Sequence, residues 1–422
     1  MRFGHISFRL AGTDGVSLET AKIVKVLNGM GHRNYYFAGE LDDESIKFPE
    51  NPIAGKYLAP YAHFSHPDIQ WITGHAFGSE IPHPNLFSKI EEIAQTLEQD
   101  LHNFIDEFKI EIITIQNVFA IPMNLPLTVA LFRVLKTRNI PVINHNHDFY
   151  WEREKYKINC VPGILKEYFP PDLPNIRQVV INSFAKQDLK RKGISSDVFP
   201  NIFDFENPPM GIDQYNRDLR ETLNISHDEL LFLQPTRVIP RKGIEFAVEL
   251  VSQLTDFKIK FLITHSAEQD SMDYLQKIKD QAQQSNVDLL YLPDKFQPSR
   301  CIDSQGQKIY SLWDAYIHAD FVTYPSLYEG FGNAILEMIY FRKPFLVNRY
   351  KVFQTDIEPT GIKAVLINKK ITKPTLEAVK ELILQPELSQ FYSETNYKIG
   401  RKYFSFDTAK VILRKIIESF NL

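Results

Sequence analysis

The sequence predicts an α/β protein with two doubly wound, Rossmann-like domains. Its 422 residues suit two domains of about 200 residues each. Short apolar runs alternate with helical patterns along most of the chain, which is typical of parallel sheets covered by helices on both faces. The alternation breaks over residues 203–214, where two prolines, Asp, Asn and Gly indicate a linker. We therefore expect a first domain over residues 1–205 and a second over 206–405.

The first half contains six predicted strands and three predicted helices. Apolar runs predict strands at residues 4–8, 35–38, 110–115, 141–144, 179–182 and 197–199. Helical periodicity predicts helices at residues 17–30, 86–108 and 124–137. Ser17 is the expected cap of the first helix and Gly31 its end. Residues 48–85 are less regular and rich in Pro and His, so we expect them to shape a binding site rather than to join the sheet.

The second half repeats the pattern. Strands are predicted at residues 230–234, 260–264, 288–292, 321–324 and 344–347. Helices are predicted at 243–255, 270–284, 309–318, from residue 333 onward, and at 407–420. Ligands of such sheets bind beyond the carboxyl ends of the strands. With two such domains, we expect the site in a central cleft that both domains face.

Composition narrows the class of protein. Hydrophobic residues make up 44% and charged residues 24%, as in ordinary globular proteins, and the net charge of -4 argues against a nucleic-acid partner. The two cysteines, Cys160 and Cys301, have no metal-binding or disulfide spacing, which fits a reducing compartment. The sequence shows no signal peptide and no membrane-spanning run. We expect a cytoplasmic protein; peripheral membrane contact and the oligomeric state stay open.

The strongest signal is the segment 324–337, which reads YPSLYEGFGNAILE. An apolar strand enters a loop with two glycines, Gly330 and Gly332, which allow a ligand close to the backbone. The amides at the start of the helix, from Asn333, can face an anion. Glu337 lies one turn into an otherwise apolar helix, where a buried carboxylate needs a partner such as a sugar hydroxyl. A surface turn with a solvated Glu337 is the alternative.

A second segment, residues 234–243, reads QPTRVIPRKG and connects a predicted strand to a predicted helix. It follows the carboxyl end of its strand, where ligands of parallel sheets bind. Arg237 and Lys242 suit a diphosphate, because their charge would stabilise it as a leaving group. A basic loop with solvated side chains is the alternative.

Two segments of the first half are weaker signals. Residues 11–17 form a glycine-containing turn before a predicted helix, but they lack the three-glycine dinucleotide fingerprint. Residues 144–153, NHNHDFYWER, follow a predicted strand. His145 and His147 have a spacing compatible with a metal, yet no third ligand cluster is visible, so we predict no metal site. Two ordinary polar loop histidines are the alternative. The Trp151 ring suits stacking on a sugar face or packing equally well.

These segments resemble the signature of glycosyltransferase family 4, a family of nucleotide-sugar-dependent enzymes with the two-domain GT-B fold. The likeness covers nearly the whole chain and is most specific in the second half. It implies that Glu329 contacts the donor sugar and Glu337 the ribose, and that Arg237 and Lys242 hold the diphosphate. It also implies that the donor lies against a short stretch of loop and helix start: Gly330, Phe331, Gly332 and Asn333.

The resemblance assigns the first domain to the acceptor side. It implies that His147 contacts the donor sugar, with His145 as the second candidate, and that Asp148 and Trp151 lie on the acceptor side. Gly15 and its neighbours would lie near the donor phosphates and the acceptor. A last helix within residues 406–422 would pack back on the first domain.

Three positions depart from the family pattern. Gln234-Pro235 stands where the family often has a glycine, and Ile202 replaces a glycine in the segment that closes the first domain. The segment Thr264-His265-Ser266 stands where a Gly-x-Gly turn is usual. These departures concern loop shape more than charge.

The implied activity is transfer of a hexose, mannose or glucose, from a nucleotide sugar to a hydroxyl of a small soluble or lipid-linked acceptor. GDP-mannose and UDP-glucose are the expected donors, the configuration is retained, and neither a cofactor nor Mg²⁺ is required. The implied mechanism is dissociative, with Glu329 and His147 positioning the sugar. A noncatalytic nucleotide-sugar-binding protein and another GT-B enzyme, an epimerase or a phosphorylase-like enzyme, are the alternatives.

Overall fold

The computed structural model describes residues 1–12, 14–42 and 52–421. The chain divides into two units: Met1–Ile202 with Phe406–Leu422, and Phe203–Ser405. We call them the N-terminal unit and the C-terminal unit. Each contains a fully parallel sheet with helices, so the predicted fold class is confirmed.

The N-terminal unit is built on seven parallel strands. They are β1 (Arg2–Ile6), β2 (Arg33–Ala38), β3 (Gly55–Leu58), β4 (Ile112–Gln116), β5 (Val142–Asn146), β6 (Ile176–Val180) and β7 (Ser196–Val198). Their order in the sheet is β3-β2-β1-β4-β5-β6-β7. The order reverses between β1 and β4, so the loops that follow these two strands leave in different directions and create a crevice at the carboxyl edge.

Six α-helices precede the linker in the part of the chain that the structure describes. They are α1 (Gly15–Gly29), α2 (Pro67–Ala76), α3 (Leu86–Phe108), α4 (Leu125–Arg138), α5 (Pro162–Tyr168) and α6 (Ser183–Arg191). Successive residues of β4 point to opposite faces of the sheet. Ile113 packs in the large core with Leu101 of α3 and Leu131 of α4, whereas Ile112 packs with Ile23 of α1.

The C-terminal unit has six parallel strands in its main sheet. A smaller sheet adds three more strands. The strands of both sheets are β8 (Leu230–Gln234), β9 (Ile259–Ile263), β10 (Asp288–Tyr291), β11 (Phe296–Gln297), β12 (Cys301–Ile302), β13 (Lys308–Ser311), β14 (Phe321–Tyr324), β15 (Phe345–Asn348) and β16 (Val365–Ile367). The main order is β10-β9-β8-β14-β15-β16, and β11-β13-β12 form the smaller sheet. The strand order reverses between β8 and β14, so a second crevice opens there.

The remaining helices complete both units. They are α7 (Leu219–Thr222), α8 (Ile244–Gln253), α9 (Met272–Gln284), α10 (Leu312–His318), α11 (Asn333–Tyr340), α12 (Lys373–Leu384), α13 (Pro386–Tyr403) and α14 (Phe406–Glu418). The last helix, α14, belongs to the N-terminal unit. Leu413 and Ile416 of α14 pack with Phe3 of β1 and Ile23 of α1, so α14 and α1 cover the same face of the sheet.

Helix α1 begins two residues earlier than predicted. Asp14, not Ser17, is the cap: its Oδ1 accepts hydrogen bonds from the amides of Val16 (3.1 Å) and Ser17 (3.2 Å). The Ser17 hydroxyl donates to the same carboxylate at 2.7 Å. Either side chain can cap a helix, and the sequence alone did not reveal that the more favourable acceptor lies three residues upstream.

The prediction that residues 48–85 stay irregular is wrong where it can be examined; residues 48–51 lie outside the described residues. Strand β3 extends the sheet beside β2, with Phe37 opposite Tyr57. Helix α2 follows and buries Ile69 and Ile72. Pro67 begins α2 instead of breaking it, because the first helical turn needs no donor from that residue. The predicted helix at 309–318 is also too long, since its first three residues belong to β13.

Candidate active site

Two loops meet at the carboxyl edge of the C-terminal sheet, one after β8 and one after β14. Gly243 ends the first loop with φ of 62°, and a Cβ there would lie 2.5 Å from the carbonyl oxygen of Pro325. The Leu327 amide donates to the Arg241 carbonyl oxygen at 2.8 Å. Only glycine permits this approach, so the predicted diphosphate loop and the predicted sugar loop are held against each other.

A buried ion cluster joins these loops. Arg241 Nη1 lies 2.9 Å from Glu329 Oε2, and Lys242 Nζ pairs with the other oxygen of Glu329. Lys242 is 9% exposed and Glu329 8%. Burial acts to raise the pKa of Glu329, but Lys242 and Arg241 outweigh it and hold that pKa below its usual value. Burial lowers the pKa of Lys242, and Glu329 only partly offsets this.

Sequence reasoning selected Glu329 and Lys242 but missed Arg241. The sequence feature that could have identified Arg241 is its position beside Lys242 in the same basic segment. In the structure Arg241 also donates to the carbonyl oxygen of Tyr328 at 3.1 Å, so it ties the two loops together twice.

Arg237 lies at the rim of this cluster. Its side chain is 53% exposed and pairs with Glu268 at 2.6 Å. His265 lies in the segment that stands where the family has a Gly-x-Gly turn. Burial lowers the pKa of His265 to about 4, and the positive charges of Lys242 and Arg237 add to this shift. Arg237 and Lys242 are therefore close enough to His265 to act on its charge, and His265 is neutral at pH 7.

A glycine stands directly before α11. Gly332 has φ of 115° and supplies no side-chain cap to the first turn of the helix. The Phe331 ring is buried against Phe404, with ring centroids 5.6 Å apart. Its carbonyl oxygen accepts a hydrogen bond from the Tyr350 hydroxyl.

Glu337 is half-buried on α11 and has a protein partner that the sequence did not suggest. The hydroxyl of Tyr316, a fully buried residue of α10, donates to Glu337 Oε2 at 2.9 Å. Burial and the neighbouring carboxylate raise the pKa of Tyr316, so its hydroxyl keeps its proton. This bond orients Glu337 and leaves further acceptor capacity on the carboxylate.

In the N-terminal unit His147 stands directly after β5 and is half-buried. Its amide donates to Asn117 Oδ1 at 2.7 Å, and its Nε2 lies 3.0 Å from Gln116 Oε1. Burial lowers the pKa of His147 to about 4, so the ring is neutral at pH 7. With Nε2 donating to Gln116, Nδ1 is the acceptor of the ring.

His145 differs because it lies within β5 and is only 4% exposed. Burial lowers the pKa of His145 well below its usual value, and the neighbouring His147 adds to the shift. The two rings lie 4.3 Å apart between centroids, and His145 also packs edge-on against Phe199. Its position makes it a core residue beneath His147.

The structure gives the other acceptor-side candidates clear protein contacts. Asp148 accepts from Asn117 Nδ2 at 3.1 Å and forms an ion pair with Arg153. The Trp151 ring stacks on Phe149, with centroids 4.3 Å apart. Packing therefore accounts for one face of Trp151. Gly15 differs again: it begins α1, and a Cβ at that position would meet nothing within 4 Å.

Two negative findings apply to the described residues only. No group of three or more His, Cys, Asp or Glu side chains is placed to hold a metal ion. No helix there is both long enough and apolar enough to cross a bilayer.

Comparison with solved structures supports the architecture. A glycosyltransferase from Rickettsia africae aligns with 99% of this chain and 98% of its own, with a TM-score of 0.70 and 15% identity. At this identity the likeness concerns the fold alone, and it confirms the GT-B architecture.

Comparison of sequences identifies the family. Residues 216–399 match the model of glycosyl transferases group 1. A mannosylglucosylglycerate synthase from Petrotoga mobilis is 35% identical over 394 residues, which cover 88% of this chain and 87% of the relative. One from Thermotoga maritima is 31% identical and covers 98% and 99%. The chain belongs to this family of GT-B glycosyltransferases, which confirms the resemblance to glycosyltransferase family 4.

Proposed function

We propose that this enzyme transfers mannose from GDP-mannose to a hydroxyl of glucosylglycerate, with retention of configuration. The observation that carries the proposal is the full-length similarity to two mannosylglucosylglycerate synthases. The name of their product describes a mannosyl group on a glucosyl unit that bears glycerate. The acceptor in our proposal is therefore small and carries one carboxylate.

We assign the nucleotide sugar to the C-terminal unit and the acceptor to the N-terminal unit. In the proposed reaction Lys242, Arg241 and Arg237 neutralise the nucleoside diphosphate as its bond to the sugar breaks. Glu329 holds the two nearer cations in position and accepts from the donor sugar. Glu337 accepts from the ribose hydroxyls, and the start of α11 faces the phosphates.

The N-terminal unit contributes an uncharged side chain to the donor sugar. Because the His147 ring is neutral, its Nδ1 can accept from a hydroxyl of the donor sugar. The sugar acquires oxocarbenium character, the acceptor hydroxyl attacks from the face that the diphosphate leaves, and its proton passes to a phosphate oxygen. In this mechanism the side-chain cations provide the charge stabilisation that a divalent ion provides in other phosphate chemistry, so no metal is required.

The test is a transfer assay with glucosylglycerate and a panel of donors: GDP-mannose, GDP-glucose, UDP-glucose and UDP-galactose. We expect a mannosylated product, detected by mass, from GDP-mannose alone, and the same rate with EDTA. The anomeric coupling in the product's NMR spectrum reports retention or inversion.

Each other outcome changes the proposal in a defined way. Glucose transfer from UDP-glucose would overturn the assigned donor, and loss of activity in EDTA would overturn metal independence. A thermal shift with GDP-mannose but no product with any acceptor would favour the noncatalytic alternative. Glu329→Gln serves as the reference for background donor hydrolysis.

A further inference from the structure

Arg9 occupies a fixed position beyond the carboxyl end of β1. The Gly39 amide donates to the Phe8 carbonyl oxygen and the Leu10 amide to that of Glu40, both at 3.0 Å. These bonds on either side of Arg9 hold its backbone beside the segment that follows β2. Strand β1 adjoins the place where the sheet order reverses, so Arg9 lies at the crevice of the N-terminal sheet.

The guanidinium of Arg9 has unused donors. Nη2 lies 3.2 Å from Asp14 Oδ2, and the group sits over the Phe64 ring at 5.5 Å. Nε is buried and has no acceptor among the described residues, and Nη1 likewise donates to none of them. The side chain is 33% exposed, so solvent or a ligand reaches part of the group. A charged donor without an acceptor is costly, and its presence points to an anion that completes the site.

The nearby carboxylates do not fill this role. Asp14 also caps α1, where its oxygens accept from two amides and from the Ser17 hydroxyl, so the helix start shares its charge. Glu40 is 52% exposed, places its carboxylate 3.0 Å from His63 Nε2, and forms no ion pair with Arg9. Arg9 therefore keeps positive charge and two unbonded nitrogens at the crevice.

We propose that Arg9 forms a carboxylate-binding site that recognises the acid group of the acceptor. This inference rests on the proposed function, which gives the acceptor one carboxylate. A guanidinium matches a carboxylate with two parallel hydrogen bonds, and the Phe64 ring fixes its plane. In this proposal Arg9 acts on acceptor choice and not on bond cleavage.

The test compares two acceptors in three proteins. Glucosylglycerate carries the carboxylate, and glucosylglycerol replaces it with a neutral hydroxymethyl group. Arg9→Gln keeps a polar side chain and removes the charge. Arg33→Gln, an exposed arginine at the opposite end of the same sheet, is the matched control. We expect Arg9→Gln to lower kcat/KM for glucosylglycerate about 10- to 100-fold, mostly through KM, and for glucosylglycerol less than about 3-fold.

The outcomes separate this inference from the proposed function. If the wild-type enzyme uses no acidic acceptor, the proposed function fails. If it does, but Arg9→Gln loses equal activity with both acceptors or none with either, the carboxylate site is overturned. Arg9→Lys keeps the positive charge but lacks the two parallel N–H donors of a guanidinium. This variant should therefore keep only part of the preference for glucosylglycerate over glucosylglycerol. Unchanged GDP-mannose binding in Arg9→Gln, measured by thermal shift, confirms an intact donor site.

Discussion

The carboxyl edges of the two sheets use different chemistry. In the C-terminal unit, Lys242, Arg241 and Glu329 form a buried ion cluster. In the N-terminal unit the group beyond β5 is a neutral histidine, His147, held by the side chain of Gln116. The cluster after β8 and β14 is organised by charge, and the histidine after β5 is held by hydrogen bonds between uncharged groups. That contrast matches the two halves of the proposed donor, a diphosphate and a neutral sugar.

The ion cluster is not explained by stability. Removing a charge from water costs several kcal/mol per ion, and a well-packed apolar pair is often as stable as a buried ion pair. The histidine on the other edge avoids that cost by staying neutral. A charged cluster is useful where an anion develops, because its groups are already oriented when the bond breaks.

The largest effect should follow from removing the buried ammonium. We expect Lys242→Met to lower kcat/KM for transfer about 10²- to 10³-fold, because the leaving diphosphate loses a preorganised cation and Glu329 keeps only Arg241. Steady-state kinetics with GDP-mannose measure the change. Lys258→Met is the control, since Lys258 forms an exposed pair with Asp228 in the same unit. A loss of less than about 3-fold would mean that the cluster is structural and the contrast between the edges has no catalytic meaning.

Strands and most helices could be predicted because their signals are local. Residues 321–324 and 86–108 were assigned their observed bounds from apolar runs and periodicity alone. Strand β3 has only four residues, GKYL, which form no apolar run, and helix α2 begins with Pro67 and contains His75. The contacts that stabilise both elements come from β2 and the core. Long-range packing decides such segments.

The same distinction between local and long-range information applies to the candidate site. Sequence motifs indicated which residue types carry charge, but not which of them meet. Arg241 and Glu329 lie 88 positions apart, and Tyr316 and Glu337 lie 21 apart. Only the strand order, which places β14 beside β8, determines that the first pair can form. The roles of these residues in catalysis stay predictions.

A smaller effect should follow at the proposed ribose contact. We expect Glu337→Gln to weaken GDP binding about 10-fold, and Tyr316→Phe about 3-fold, because the first removes the charged acceptor and the second only its orienting bond. Isothermal titration measures both. Glu387→Gln, an exposed residue on α13, is the control. With 2′,3′-dideoxy-GDP the loss in Glu337→Gln should disappear; an equal loss with both nucleotides would place Glu337 away from the ribose.

The smallest effect concerns His147, after β5, and the response of the N-terminal unit to acid. The pKa of His147 is lowered to about 4, so between about pH 6.5 and 4 the unfolded chain binds a proton that the folded protein does not. Stability must therefore fall as the pH falls through this window. The glutamine of His147→Gln stays neutral at every pH. Between pH 7 and pH 5.5 the free energy of unfolding should therefore fall by about 1 kcal/mol less in this variant than in the wild type.

Tryptophan fluorescence can assign that change to one unit. The three tryptophans are Trp71 and Trp151 in the N-terminal unit and Trp313 in the C-terminal unit. In a Trp313→Phe background, urea unfolding followed by fluorescence reports the N-terminal unit alone, and His227→Gln, an exposed histidine of the other unit, is the control. If His147→Gln leaves the acid dependence unchanged, the pKa of His147 is not lowered in the folded protein, and the ring beyond β5 takes up charge as the pH falls.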